Sequence, residues 1–172
     1  MHEMNHLLFD NEKPASIFEV GCGSSAFLKD YQENFSHVIV GGLDIDAGSY
    51  QSSRSALPSF ADNFIQHNAL NVPWPVKEKS WDIVFTVGTL LLIPDPFPVI
   101  KEMLRIAKQK IILAEYHDET KDAYGDQGKI PQPASLYDLR IRRDYQKVFK
   151  QLGMQAEFLP CIAGKTIIKC NV

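Results

Sequence analysis

Residues 17–25 read IFEVGCGSS, and this stretch decides the fold. Ile17–Val20 is short, apolar and closed by glycine, which predicts a strand. Gly21 and Gly23 follow it one residue apart, where a tight turn lets a ligand come close to the backbone. Ala26–Asn34 then predicts a helix, with Ser24 or Ser25 as its N-cap. A dinucleotide turn needs G-x-G-x-x-G, and the third glycine would fall at Ala26. Two readings stay open for the turn itself: a ligand-holding loop, or a plain turn with an acid, Glu19, close by.

Working outward, the chain alternates apolar runs with helical stretches. Val38–Leu43 is the β-branched run of a strand buried on both faces. Ser49–Ala56 predicts a polar helix stopped near Pro58. Phe64–Gln66 reads as a short strand, Asn71–Lys79 as a loop with two prolines, and Ile83–Val87 as a buried strand. Phe97–Ala107 has helical spacing that puts Ile100, Met103, Leu104 and Ala107 on one face. Ile111–Glu115 is again a strand. His117–Ser135 is polar and rich in Gly and Pro, a functional loop or a disordered one. Leu136–Leu152 predicts a helix ending at Gly153. Gln155–Leu159 and Lys165–Cys170 read as a closing strand pair with a turn near Ala163-Gly164. Such alternation gives a parallel sheet covered on both faces, and the closing pair places an antiparallel strand at or near one edge. Ligands of these sheets sit at the carboxyl ends of the strands, at the switch in strand order.

The 172 residues suit one domain, 1–172, without repeats. Hydrophobic residues at 45% and charged ones at 23% are an ordinary globular composition. A net charge of -3 without a basic block argues against a dedicated nucleic-acid or membrane surface. Cys22, Cys161 and Cys170 show no pairing pattern, which fits a reducing compartment. Neither a membrane-spanning apolar run nor a secretory signal is visible, so the cytoplasm is the expected location.

The residues after each strand are the candidates for chemistry. Asp44, with Ile45 beside it, can accept both hydroxyls of a ribose, and its distance from Gly21 matches that use. Asp46 reads as a helix or turn cap. In His67-Asn68-Ala69, Asn68 can meet an adenine amino group and the Ala69 N–H a ring nitrogen. Asn68 is equally a turn residue, and both readings stand. Val87–Thr89 would lie beside the reacting centre.

Taken in order, these strand ends resemble class I S-adenosylmethionine-dependent methyltransferases over roughly Ser16–Tyr116. The resemblance implies a Rossmann-like three-layer α/β sandwich of about seven mostly parallel strands. It implies S-adenosyl-L-methionine as cofactor, held by Glu19, Gly21, Cys22, Gly23, Asp44, Ile45, Asn68, Ala69 and Val87. That cofactor has no phosphate, so its turn needs a carboxylate near the amino group rather than an anion cradle, and Glu19 is the candidate. SWDIVFTVGTLLLIPD (80–95), KQKIILAEYHDE (108–119) and IRRDYQKVF (141–149) are similar to methylases associated with pseudaminic acid biosynthesis. That likeness implies a small-molecule acceptor, a sugar or sugar nucleotide, faced by Glu115, Tyr116 and Arg143. Tyr124 is a further acceptor-side candidate. In-line methyl transfer depends chiefly on alignment. A base is needed only if the acceptor must lose a proton, and Glu115, Tyr116 and His117 are the candidates. Fewer than two dozen residues precede Gly21, so a shortened N-terminal segment is expected, with the loop after Glu115 as the alternative lid.

Other signals carry rival readings. His2-Glu3-Met4-Asn5-His6 fits the zinc pattern H-E-x-x-H, but it lies at a chain end with nothing to position it, so no metal is expected. Cys22 is a nucleophile or, preferably, a small filler between strand and helix. Arg140, Arg142 and Arg143 form the only dense basic cluster, and helical spacing would put Arg140 and Arg143 on one face, toward an acceptor anion or toward solvent. The functional rivals are a catalytically silent binding module, an NAD-type oxidoreductase and a zinc hydrolase.

Overall fold

Five strands run parallel: β1 Ser16–Val20, β2 Ile39–Asp44, β3 Phe64–Gln66, β4 Trp81–Val87 and β5 Ala107–Glu115. Two more, β6 Glu157–Pro160 and β7 Thr166–Asn171, close the sheet in the order β3-β2-β1-β4-β5-β7-β6. β7 is antiparallel to both of its neighbours, one place in from the edge. The computed structural model describes Leu8, Phe9 and residues 12–125, 141–160 and 164–172. The His2–His6 pair, Arg140 and Cys161 lie outside the described residues.

Side chains alternate across each strand, so each strand feeds two cores. Ile17, Ile83, Phe85 and Ile112 pack with Leu28 and Tyr31 of α1, Ala26–Asn34. The 3-10 turn Pro58–Asn63 and helix α2, Ala47–Ala56, lend Phe60 and Tyr50 to the same side. Phe18, Val84, Ile111 and Leu113 pack on the other side against Val99, Ile100, Met103 and Ile106 of α3, Phe97–Ile106. Val148 and Phe149 of α4, Tyr145–Gln151, complete that layer. The result is three layers, and every residue of β1 is buried because both faces are covered. Among the described residues no helix is long and apolar enough to cross a membrane.

Most boundaries lie within one or two residues of the sequence expectation, and those around β5 and α4 shift for a visible physical reason. Ala107 opens β5 instead of closing α3, and β5 starts well before Ile111. Its polar first residues carry charges that are paired in space: Lys108 reaches Asp82 at 3.1 Å, and Lys110 reaches Glu12. The helix expected over Leu136–Leu152 begins, among the described residues, only at Tyr145. Asp144 stops it there as N-cap, accepting from the backbone N–H of Gln146 at 2.9 Å and of Lys147 at 3.4 Å.

β2 and β3 lie to one side of β1, and β4 and β5 to the other. The tips of β1 and β4 therefore flank the switch point where a crevice opens. At the opposite end, buried Asp82 ties the two strands together. Its Oδ2 accepts from the N–H of Ala15 at 2.8 Å and of Ser16 at 3.2 Å. Asp82→Ala strands both donors, and a loss of about 3 kcal/mol in urea denaturation is expected. A loss below about 1 kcal/mol would show that this tie is dispensable.

Candidate functional site

The glycine turn is locked onto the tip of β2. The N–H groups of Gly21 and Cys22 both donate to Leu43 O, at 2.8 and 3.1 Å. The Gly23 N–H donates to Asp44 Oδ2 at 2.8 Å, and the Asp46 N–H to Asp44 Oδ1 at 2.9 Å. Gly21 has a φ of 71°, and a methyl group there would lie 2.3 Å from Thr89 Oγ1. Glycine is thus required twice over, for its backbone angle and for the approach of the β4 loop. Thr89 and Thr86 both donate hydroxyls to Val20 O, at 3.2 and 3.0 Å, which joins the tips of β1 and β4. Ser25 does not cap α1 as expected: it has a φ of 57° and no capping bond from its side chain. Its hydroxyl instead donates to Ser53 at 2.7 Å, holding α2 against the turn. Asp46 does cap α2, accepting from the Ser49 N–H at 2.6 Å.

Glu19 and Asp44 place two carboxyl groups beside this turn. Glu19 is buried, and its Oε2 makes no hydrogen bond. Burial first, then the nearby Asp44 charge, raises its carboxyl well above the usual range. Cys22 is buried against Gly42, and burial pushes its thiol up to about 12, which fits a small filler between strand and helix. Ile45 is 62% exposed beside Asp44. The tip of β3 joins through the His67 N–H, which donates to Asp44 O at 2.8 Å. Asn68 Oδ1 accepts from the Leu70 N–H at 2.9 Å, a turn bond, and Ala69 O accepts from the Trp74 indole at 2.9 Å. Val87 ends β4, half-buried. Glu19, Gly21, Cys22, Gly23, Asp44, Ile45, Asn68, Ala69 and Val87 therefore sit at one end of the sheet.

The residues expected on the acceptor side divide into scaffold and surface. Glu115 is fully buried; its Oε1 accepts from the N–H groups of Thr89 at 2.8 Å and Leu90 at 2.9 Å. Arg143 does not face an acceptor. Its guanidinium is fully buried and donates to Leu90 O and Ile93 O, both at 2.6 Å, and to Pro94 O at 3.3 Å. The reason is spacing: residues 141–144 are not helical, so Ile141 and Arg143 turn inward while Arg142 turns out. His117 is equally occupied. Its side chain is 10% exposed and its Nδ1 accepts from the Tyr145 N–H at 3.2 Å, which removes the lone pair a base would use. Tyr116 is half-buried with the Arg142 guanidinium 5.7 Å from its ring centre. Tyr124 is 43% exposed and packs on Phe97, centroids 5.3 Å apart.

Thr89, at the end of the Val87–Thr89 segment expected beside the reacting centre, is joined there by Lys165, which sequence reading did not single out. A methyl on Gly88 would lie 3.0 Å from Lys165 Nζ, so this ammonium covers the tip of β4. The only signal for it was a lysine directly after Gly164 in the final turn. Among the described residues no group of three or more His, Cys, Asp or Glu side chains is placed to hold a metal. An open groove between α4 and β6 is lined by Gln146, Phe149, Lys150, Met154 and Phe158.

Residues 18–114 match a family profile described as "Methyltransferase domain". The chain is 27% identical over 153 residues to cycloartenol-C-24-methyltransferase of Arabidopsis thaliana, covering 81% of this chain and 44% of that protein. It thus spans less than half the length of that curated relative. An O-methyltransferase family protein from Burkholderia thailandensis superposes with a TM-score of 0.71 at 11% identity, over 99% of this chain and 55% of that one. The O-methyltransferase of a Brevibacillus brevis trans-AT polyketide multienzyme, solved with S-adenosyl-L-homocysteine, superposes with a TM-score of 0.67 at 14% identity, over 87% and 50%. The likeness to these solved structures is one of fold.

Two tests follow from the geometry. Gly21→Ala is expected to cost about 3 kcal/mol in urea denaturation, from the clash and the backbone angle together. Adding Thr89→Ala should recover the steric share, leaving about 1–2 kcal/mol; no recovery would mean the two side chains do not compete. The second test is pH. Burial raises Glu115 from 4.5 to about 6, so the folded chain holds this proton more tightly than the unfolded chain. The stability it contributes is complete below the unfolded value and is lost as pH rises through about 6. Glu115→Gln keeps an oxygen for Thr89 and Leu90 but cannot ionise. It should gain about 2 kcal/mol on the native chain between roughly pH 4 and pH 7; a constant difference would count against the buried charge.

Proposed function

The chain belongs to the methyltransferase-domain family, and on that premise we propose that it transfers a methyl group from S-adenosyl-L-methionine to a small-molecule acceptor. The observation that carries this reading is the junction of Gly23 with Asp44 beside buried Glu19. Each Asp44 oxygen accepts one backbone N–H and keeps a second lone pair, enough for two ribose hydroxyls. Ile45, beside it, offers an exposed apolar surface for an adenine ring. The unpartnered Glu19 Oε2 suits an amino group, which would supply the missing donor and favour the ionised carboxylate.

Charge also separates this reading from an NAD-type oxidoreductase. A bound ammonium would ionise Glu19, and that buried carboxylate beside the turn would then repel a pyrophosphate; Asp44, which could hold the ribose of either cofactor, does not discriminate. The bound cofactor would supply an electrophilic methyl group on a positively charged sulfur. The chain would supply alignment: the Val87–Thr89 tip, fastened to β1 through Thr89, fixes the edge along which an acceptor approaches. Glu115 and His117 act here as positioning residues, which leaves Tyr116 and Tyr124 as the expected side chains that touch an acceptor. The sugar or sugar-nucleotide acceptor rests on the three sequence stretches quoted above and on nothing in the compared proteins.

Calorimetry with S-adenosylhomocysteine and with NAD tests the reading. Low-micromolar or tighter binding of S-adenosylhomocysteine and none of NAD is expected, roughly −8 kcal/mol. Asp44→Ala should lose about tenfold or more, the value of hydrogen bonds to a charged group. Unchanged affinity in that variant, with an unchanged melting temperature, would take Asp44 out of the ribose role. Protection by NAD alone would overturn the methyl-transfer reading.

A further inference from the structure

We propose, building on that reading, that the acceptor carries an anionic oxygen group, a carboxylate or a phosphate, held by Lys165 and Arg142 beside Tyr116. The basic cluster of the sequence is split by the fold. Arg143 is spent inside on three carbonyl oxygens, while Arg142 stays exposed with its guanidinium over the Tyr116 ring. Gly164 comes to the edge of the same ring, where a methyl on it would lie 3.8 Å from Tyr116 Cε1. The next residue, Lys165, sends its ammonium over Gly88 at the tip of β4. Arg142 thus lies over the Tyr116 ring, and Lys165, whose neighbour Gly164 approaches the same ring, carries a second cation from a separate part of the chain to the tip of β4.

Among the described residues, no carboxylate forms an ion pair within 4.0 Å of Lys165 or Arg142. Asp118 feels the Arg142 charge only at longer range, and buried Glu115 feels that of Lys165. The Glu115 carboxylate is held on its own side by the Thr89 and Leu90 N–H groups. An ammonium without an ion-pair partner among the described residues, beside the place of a sulfonium, is repulsive. An anionic acceptor group inserted there relieves both charges, and a guanidinium lying over an aromatic ring keeps its N–H fork free for a planar carboxylate or a phosphate.

The test uses the whole chain saturated with S-adenosylhomocysteine, which fills the cofactor crevice without a methyl group to give. It is titrated by amide NMR at about 0.15 M salt, where distant charges are screened. The probes are inorganic phosphate, 4-hydroxybenzoate and its neutral counterpart 4-hydroxybenzamide. At least one anion is expected to shift the Gly88, Tyr116 and Gly164 amides and to bind roughly fivefold or more tightly than the amide. Lys165→Gln and Arg142→Gln should each weaken that anion about three- to fivefold, the range of a single partly exposed ion pair. Their melting temperatures should match the native chain. Response to phosphate alone or to benzoate alone assigns the source. Equal binding of benzoate and benzamide, absence of binding by either anion, or undiminished binding in both variants overturns the proposal. Failure of S-adenosylhomocysteine itself to bind sinks the methyl-transfer reading instead, and the anion titration of the free chain still decides this one.

Discussion

The loop between β4 and α3 is held by two buried charges of opposite sign, and the geometry of the site depends on that clamp. Glu115 takes the N–H groups of Thr89 and Leu90, while Arg143 takes the carbonyls of Leu90, Ile93 and Pro94. The 3-10 turn Leu90–Leu92 therefore has an anion on its donors and a cation on its acceptors, the arrangement a backbone dipole favours. Removing either side chain would leave the buried loop donors or acceptors that it serves without a partner.

From the clamp the constraint passes to the cofactor side through Thr89. Its backbone is fixed by Glu115 and its hydroxyl by Val20 O, so its side chain is pressed onto Gly21. The glycine turn then has one position available, and Asp44 reaches back from β2 to hold Gly23 there. Buried Glu19 sits beneath the same turn with an unpartnered oxygen. A buried carboxyl oxygen without a partner is costly, and a donor brought by a ligand would relieve that cost.

Much of this was legible along the chain. β1, the glycine turn, β2 with Asp44, β3 and the core of β4 are consecutive, and each carries its own local signal: an apolar run, two spaced glycines, an acid at a strand end. The paired ends of β5 were less visible, because Lys108 and Lys110 look like loop residues until Asp82 and Glu12 are placed opposite them. The arginines were misjudged for a related reason. Arg140 and Arg143 share a face only on a helix, and the chain through 141–144 is not helical, so parity rather than helical spacing decides which arginine goes inside. Asp144 in front of Tyr145-Gln146-Lys147 was the available clue to the later helix start.

By itself the sequence determined the alternation of strands and helices, the tight turn at Gly21–Gly23 and the acid at the end of β2, because each depends on neighbours within a few residues. Only the tertiary structure decided that Glu115 and Arg143 hold the loop after β4, that His117 accepts from the Tyr145 N–H, and that Lys165 reaches the tip of β4. Those contacts depend on which side chain fills the space between segments separated by 25 positions or more. A hydrogen bond or a steric contact over that separation has no periodicity along the chain, and it exists only once the sheet has brought the segments together.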